Sequence, residues 1–182
     1  MPRWVNVANL FTAIRLILAP MIVLAILRGN DRRALLLFAC AAVTDVMDGA
    51  AARHLDLVTQ AGAYFDPIAD KCLLSGVFVA LAAAGHVPRW FVSLVLGRDV
   101  YLLFAAGFLM WLTPMRRFPP SIWGKASTFV QIVTVVLWLT RNVAPLPMLE
   151  ALSAAILWPC AVFTLWSGIH YTWRGVQLAR AH

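Results

Sequence analysis

Two pairs of aspartates carry the most readable chemistry in this sequence. Asp45 and Asp48 stand three residues apart, and Asp66 and Asp70 stand four apart. On helices, each pair lies on one face. Both pairs sit at the edges of long apolar runs, so a short turn between the helices lets them face one another across a small gap. Four carboxylates grouped in this way repel one another and resist leaving water. A bound divalent cation is the usual compensation. An all-oxygen ligand set favours Mg2+, with Mn2+ or Ca2+ as alternatives. Four acids suffice for two ions, the arrangement that clamps an in-line displacement at phosphorus. Gly49 and Gly62 remove side chains beside the acids and let a ligand approach the backbone. Arg53 offers a planar fork for a phosphate. The alternative is that the acids cap helices or form surface ion pairs. Against it, four of the chain's eight acids belong to these pairs, in apolar surroundings.

Written out, the stretch is D-x2-D-G-x2-A-R-x8-G-x3-D-x3-D, from Asp45 to Asp70. It resembles the signature of the CDP-alcohol phosphatidyltransferases, with every fixed position present at the expected spacing. The resemblance implies a CDP-linked lipid donor, CDP-diacylglycerol, and an alcohol acceptor, with release of CMP. It implies Asp45, Asp48, Asp66 and Asp70 as ligands of two Mg2+ ions (Mn2+ as the alternative). Asp70 doubles as general base on the acceptor hydroxyl. Asp45, Gly49, Ala52, Arg53 and Gly62 bound the CDP pocket. A homodimer is also implied.

Composition points to the membrane. The chain has 182 residues, 62% of them hydrophobic, and a mean hydropathy of +0.80. That much apolar surface implies several membrane-spanning helices. The net charge of +7 raises nucleic acid as a partner. The dominance of the apolar runs reads it instead as cationic flanks beside anionic lipid headgroups. Cys40, Cys72 and Cys160 lack metal-ligand spacing and read as buried small hydrophobes. The amino-terminal stretch does not read as a cleaved signal peptide, because Arg15 interrupts its apolar region.

The expected fold is all-α: one domain over residues 1–182, a polytopic bundle of six transmembrane helices with an amino-terminal interfacial segment. The spans are expected at about 16–27, 34–52, 61–84, 90–112, 122–139 and 148–173, with kinks at Pro20 and Pro159. The second span carries Asp45 and Asp48 near its end, and the third carries Asp66 and Asp70 near its start. With six spans the termini share a side. Seven basic residues flank that side and five the other, which puts the termini and the four acids toward the cytoplasm. A bacterial or mitochondrial inner membrane is the expected location.

Three further polar features stand in apolar surroundings. Asn9, Thr12 and Arg15 share roughly one helix face. They resemble the Asn-Leu-x-Thr-x-x-Arg stretch of phosphatidylglycerophosphate and cardiolipin synthases in the same family, while an ordinary amphipathic entry into a membrane helix reads equally well. Arg98 lies well inside a span, where an unpaired charge costs roughly 2.5 to 3.5 kcal/mol. Its neighbour Asp99 does not face it on an ideal helix, so Arg98 is expected to point into the bundle, toward a phosphate or the acids. Lys125 sits in Gly124-Lys125-Ala-Ser127-Thr128-Phe-Val-Gln131, which resembles the Gly-Lys-x-Lys-Thr-x-x-Gln stretch of phosphatidylglycerophosphate synthases. Ser127 replaces the second Lys. Arg98-Asp99 stands where those synthases usually have Arg-Glu. Both departures lean toward eukaryotic-type cardiolipin synthases. Arg98 and Lys125 are the candidates for the acceptor's phosphate.

The expected activity is therefore phosphatidyl transfer from CDP-diacylglycerol to glycerol 3-phosphate, giving phosphatidylglycerophosphate. Phosphatidylglycerol as acceptor, giving cardiolipin, is the second reading. From a different class, the acids and Arg98 could line the pathway of a small cation transporter. No nucleic-acid partner is expected.

Overall fold

A computed structural model of the chain describes residues 7–55, 60–112 and 122–180, with side chains described for 13–44, 69–105, 107 and 122–177. Among the described residues all regular structure is helical. Seven helices follow in order: α1 Val7–Leu27, α2 Asp31–Leu55, α3 Gln60–Ala83, α4 Arg89–Leu112, α5 Ile122–Val143, α6 Pro147–Ala155 and α7 Leu157–Arg180. Among the described residues, two segments are long and apolar enough to cross a membrane, 122–143 and 147–177, the second made of α6 and α7. The apolar part of α1, Ala13–Leu27, is shorter. Of the turn expected at 54–60, residues 54, 55 and 60 are helical and 56–59 lie outside the described residues, as does the loop expected at 113–120.

The chain divides into two compact units. The first comprises 1–87 and 138–145, the second 88–137 and 146–182. In the first, α1 packs against both α2 and α3. Small residues let α1 and α3 approach closely: a Cβ added at Gly76 would stand 3.3 Å from Val23 Cγ2. Ile22, Ile26, Phe38, Val77, Phe78 and Leu81 fill this core. Asn142, at the end of α5, donates to Asp31 Oδ1 at the start of α2 (3.2 Å). In the second unit α4 packs on α7, and α6 on α7.

Helix ends follow local chemistry. After α1, Gly29 takes φ +68°, a conformation that costs other residues more. Its N–H donates to Ile26 and that of Asn30 to Ala25, both at 2.9 Å. Asn30 then caps α2, its Oδ1 accepting from the Arg33 N–H (3.3 Å). Gly85, φ +77°, closes α3 in the same way.

Two sequence expectations change here. The single helix expected over 148–173 with a bend at Pro159 is instead interrupted at Ile156, between α6 and α7. A proline ring clashes with the carbonyl four residues earlier, which here belongs to Ala155, the last residue of α6. Neighbouring bonds survive: the N–H groups of Ile156 and Cys160 donate to Leu152 (2.9 Å) and Ile156 (3.1 Å). The cysteines are also not uniformly buried. Cys160 is, but Cys40 and Cys72 are exposed. The outer faces of these helices are apolar too, as Leu36, Leu103, Phe104, Ile169 and Trp173 show by their exposure. An apolar run therefore does not imply burial within the protein when lipid is the solvent.

Candidate active site

The four motif aspartates fall on consecutive helices, Asp45 and Asp48 in the second half of α2, Asp66 and Asp70 in the first half of α3. Gly49, Ala52 and Arg53 follow on α2, and Gly62 opens α3. The side chains of Asp45, Asp48, Arg53 and Asp66 lie outside the described residues. That of Asp70 is described. It is 39% exposed, open enough to meet a ligand, and its Oδ1 accepts a hydrogen bond from Arg15 Nη1.

This ion pair joins α1 to α3 across 55 positions of sequence. Arg15 itself is 1% exposed. The structure thus gives the third polar residue of the Asn9–Thr12–Arg15 face a partner inside the motif. Sequence reasoning had placed Arg15 on a polar face but not opposite Asp70. The available signal was its position: a cation between Ile14 and Leu16, on a helix running on through Ile17, Ile22 and Ile26, needs a buried partner. Charge pairing of this kind holds the carboxylate in one orientation.

Arg98 and Lys125 belong to the second unit. Arg98 donates from Nε and Nη2 to Ser167 Oγ (3.0 and 2.7 Å). Its Nη1 donates to Asp99 Oδ1 at 2.6 Å. The expectation that adjacent Arg and Asp cannot meet is therefore corrected. Their Cβ atoms do diverge by about 100° around the helix, but the long Arg stem folds back far enough to close the gap. Both side chains are largely buried, at 9% and 14% exposure, which favours pairing over hydration. The Arg98 stem also runs close to α7, since a Cβ at Gly168 would lie 3.6 Å from its Cγ. A groove of about 470 Å³ between α4 and α7 reaches Arg98, walled by Gly97, Leu165, Gly168 and Ile169. Tyr101 and Thr172 hydrogen-bond to each other along it (2.8 Å).

Lys125 is exposed on α5. Two residues on, about 200° of helix rotation, Ser127 is fully buried. Gln131 and Thr134 continue that buried polar stripe. Gln131 Nε2 donates to Thr164 Oγ1 on α7 (3.4 Å).

The donor set of the motif fits a hard divalent ion. It is entirely carboxylate oxygen, drawn from two helices at spacings that put each pair on one face. Asp70 keeps its side chain accessible while Arg15 offsets part of the local negative charge.

A sequence model of the CDP-alcohol phosphatidyltransferases matches residues 5–166 of the chain, which includes all four aspartates, Arg15, Arg98 and Lys125. The chain belongs to this family. A probable phosphatidylglycerophosphate synthase of Mycobacterium tuberculosis is 33% identical over 185 residues, covering 96% of this chain and 84% of the relative. A CDP-diacylglycerol–glycerol-3-phosphate 3-phosphatidyltransferase of Rickettsia felis is 32% identical over 170 residues, 91% of this chain and 93% of the relative. A CMP-forming cardiolipin synthase of Rattus norvegicus is 29% identical over 195 residues, 96% of this chain and 64% of the relative. The chain is thus a phosphatidyltransferase of phospholipid biosynthesis and a membrane protein. The family is one of enzymes, which decides against the transporter alternative.

Proposed function

We propose that the protein transfers the phosphatidyl group of CDP-diacylglycerol to glycerol 3-phosphate, releasing CMP and forming phosphatidylglycerophosphate. The observation that carries this reading is the complete aspartate motif on α2 and α3. Relatives bearing that activity in their names match over nine-tenths of the chain or more.

In this reading Asp45, Asp48, Asp66 and Asp70 hold two divalent ions, Mg2+ by the hardness of the donor set. When bound, such ions neutralise phosphate charge and favour displacement at phosphorus. Asp45, Gly49, Ala52, Arg53 and Gly62 bound the CDP moiety, with Arg53 on a phosphate. Asp70, oriented by Arg15, takes the proton of the acceptor hydroxyl. Arg98 and Lys125 attract the acceptor's phosphate. The acyl chains of the donor stay in the bilayer. Six membrane spans, an active site on the cytosolic side of a bacterial or mitochondrial inner membrane, and a homodimer complete the proposal.

Two features favour a second reading, cardiolipin synthesis with phosphatidylglycerol as acceptor: the neutral Ser127 after Lys125, and the Arg98-Asp99 pair. The rat cardiolipin synthase adds to it. An assay of purified enzyme separates the two. With CDP-diacylglycerol and glycerol 3-phosphate, phosphatidylglycerophosphate is expected as the lipid product. Cardiolipin formed from phosphatidylglycerol, with no product from glycerol 3-phosphate, overturns the first reading in favour of the second.

A further inference from the structure

Positive charge collects at a second place in the first unit, at the end of its helices away from the aspartate motif. The turn after α1 carries Arg28, and α2 opens with Arg32 and Arg33, all three exposed. Asn142 reaches Asp31 (3.2 Å) and so brings the end of α5 to the same turn. Residues 138–145 belong to this unit, and Arg141 stands beside Asn142 in the chain. Arg28 lies about 20 Å along α1 from Arg15 at the usual rise per residue, and Arg15 marks the level of Asp70.

This corner is rich in donors and poor in acceptors. None of the four arginines pairs with a described acid. The one carboxylate among them, Asp31, accepts from Asn142. Arg141 is held in place: its guanidinium carbon lies 4.7 Å from the centroid of the Trp138 ring, and Trp138 is 5% exposed. A guanidinium stacked on an indole keeps its N–H edge free to bond in its own plane. The indole N–H is itself buried without a partner. Like charges grouped in this way repel unless an anion lies among them. The surroundings select the anion. Leu24, Leu27 and Leu36 are exposed on the same helices, so the arginines stand where an apolar surface meets headgroups. A phospholipid covers the leucines with its chains and offers the arginines a phosphodiester, which accepts from a guanidinium fork. Among the described residues the corner holds no second acid for a choline or ethanolamine cation, which favours a lipid of net negative charge.

We propose that Arg28, Arg32, Arg33 and Arg141 bind the phosphodiester of an anionic phospholipid, which ties the end of α5 to the turn between α1 and α2. The site is separate from the reacting centre and holds whichever acceptor the enzyme uses. In the six-span reading it meets the leaflet opposite the motif.

The test titrates the purified protein in detergent with phosphatidylserine, phosphatidylcholine or inorganic phosphate and follows the melting temperature. Phosphatidylserine serves as the anionic probe because it is neither donor nor acceptor in the proposed reaction. It is expected to raise the melting temperature, and the other two are not. An arginine near a lipid surface strengthens the hold on an anionic lipid about fivefold. Arg141→Gln should therefore move the phosphatidylserine midpoint about fivefold to higher concentration, and Arg32→Gln added to it about thirtyfold in all. Arg32→Gln with Arg33→Gln, both exposed, should match the double variant and leaves the Trp138 stack intact. Arg174→Gln, an equal loss of charge on α7, should leave the midpoint in place. Equal stabilisation by phosphatidylcholine or by inorganic phosphate overturns the proposal. So does a wild-type midpoint in the double variants, or a shift in Arg174→Gln as large as in Arg141→Gln.

Discussion

Asp66→Asn and Asp70→Asn are each expected to lower CMP release by a factor of about 10² to 10⁴. Each removes one negative charge and almost no volume, so the loss isolates the carboxylate's role. The two variants differ in a second respect. Asp70 accepts from the buried Arg15, so its neutralisation also strands a cation and lowers stability. CMP release per folded molecule, measured beside the melting temperature in detergent, separates the two effects. Turnover at the wild-type level in both variants would remove the proposed roles of these acids.

Arg15→Met should be the most costly single change outside the motif. Arg15 is 1% exposed, and removing one partner of a buried ion pair costs about 3 to 5 kcal/mol. Asp70, partly exposed, can recover some hydration, which places the expected loss near 3 kcal/mol. The corresponding fall in melting temperature is on the order of 10 °C. Activity should fall further than stability, because Asp70 loses the donor that orients it, and a small misplacement of a reacting group costs up to about a hundredfold. Arg15→Lys keeps the charge but not the fixed fork, and should recover most of the stability and part of the rate. A Met variant with unchanged melting temperature and turnover would show that the pair serves neither purpose.

The contrast between Arg15 and the aspartates marks where sequence reading stops. The spacings of Asp45–Asp48 and Asp66–Asp70 are local, and helical periodicity converts them into shared faces without tertiary information. Helix ends were legible in part for the same reason: Gly29 and Gly85 just past helix ends announce themselves locally, whereas the polar Asp31–Arg33, read as turn, opens α2. The Arg15–Asp70 pair joins residues 55 apart, and no local pattern encodes which buried cation meets which acid. Arg98 shows a different failure. Reasoning from Cβ directions alone set Asp99 aside, although a long side chain can turn back on its neighbour, and its contact with Ser167 spans 69 positions. Pro159 was visible as a breaker, but its steric effect falls four residues upstream. The exposed Cys40 and Cys72 fell to an assumption borrowed from soluble proteins, in which apolar means interior.

Everything proposed for the reaction depends on carboxylates of α2 and α3 acting through a divalent ion. The decisive experiment is CMP release from CDP-diacylglycerol by the purified protein, with its acceptor present, after removal of divalent ions by excess chelator. Turnover should fall to background and return when Mg2+ is restored above the chelator concentration. Full turnover with the chelator in excess would contradict the metal-dependent reading of the four aspartates.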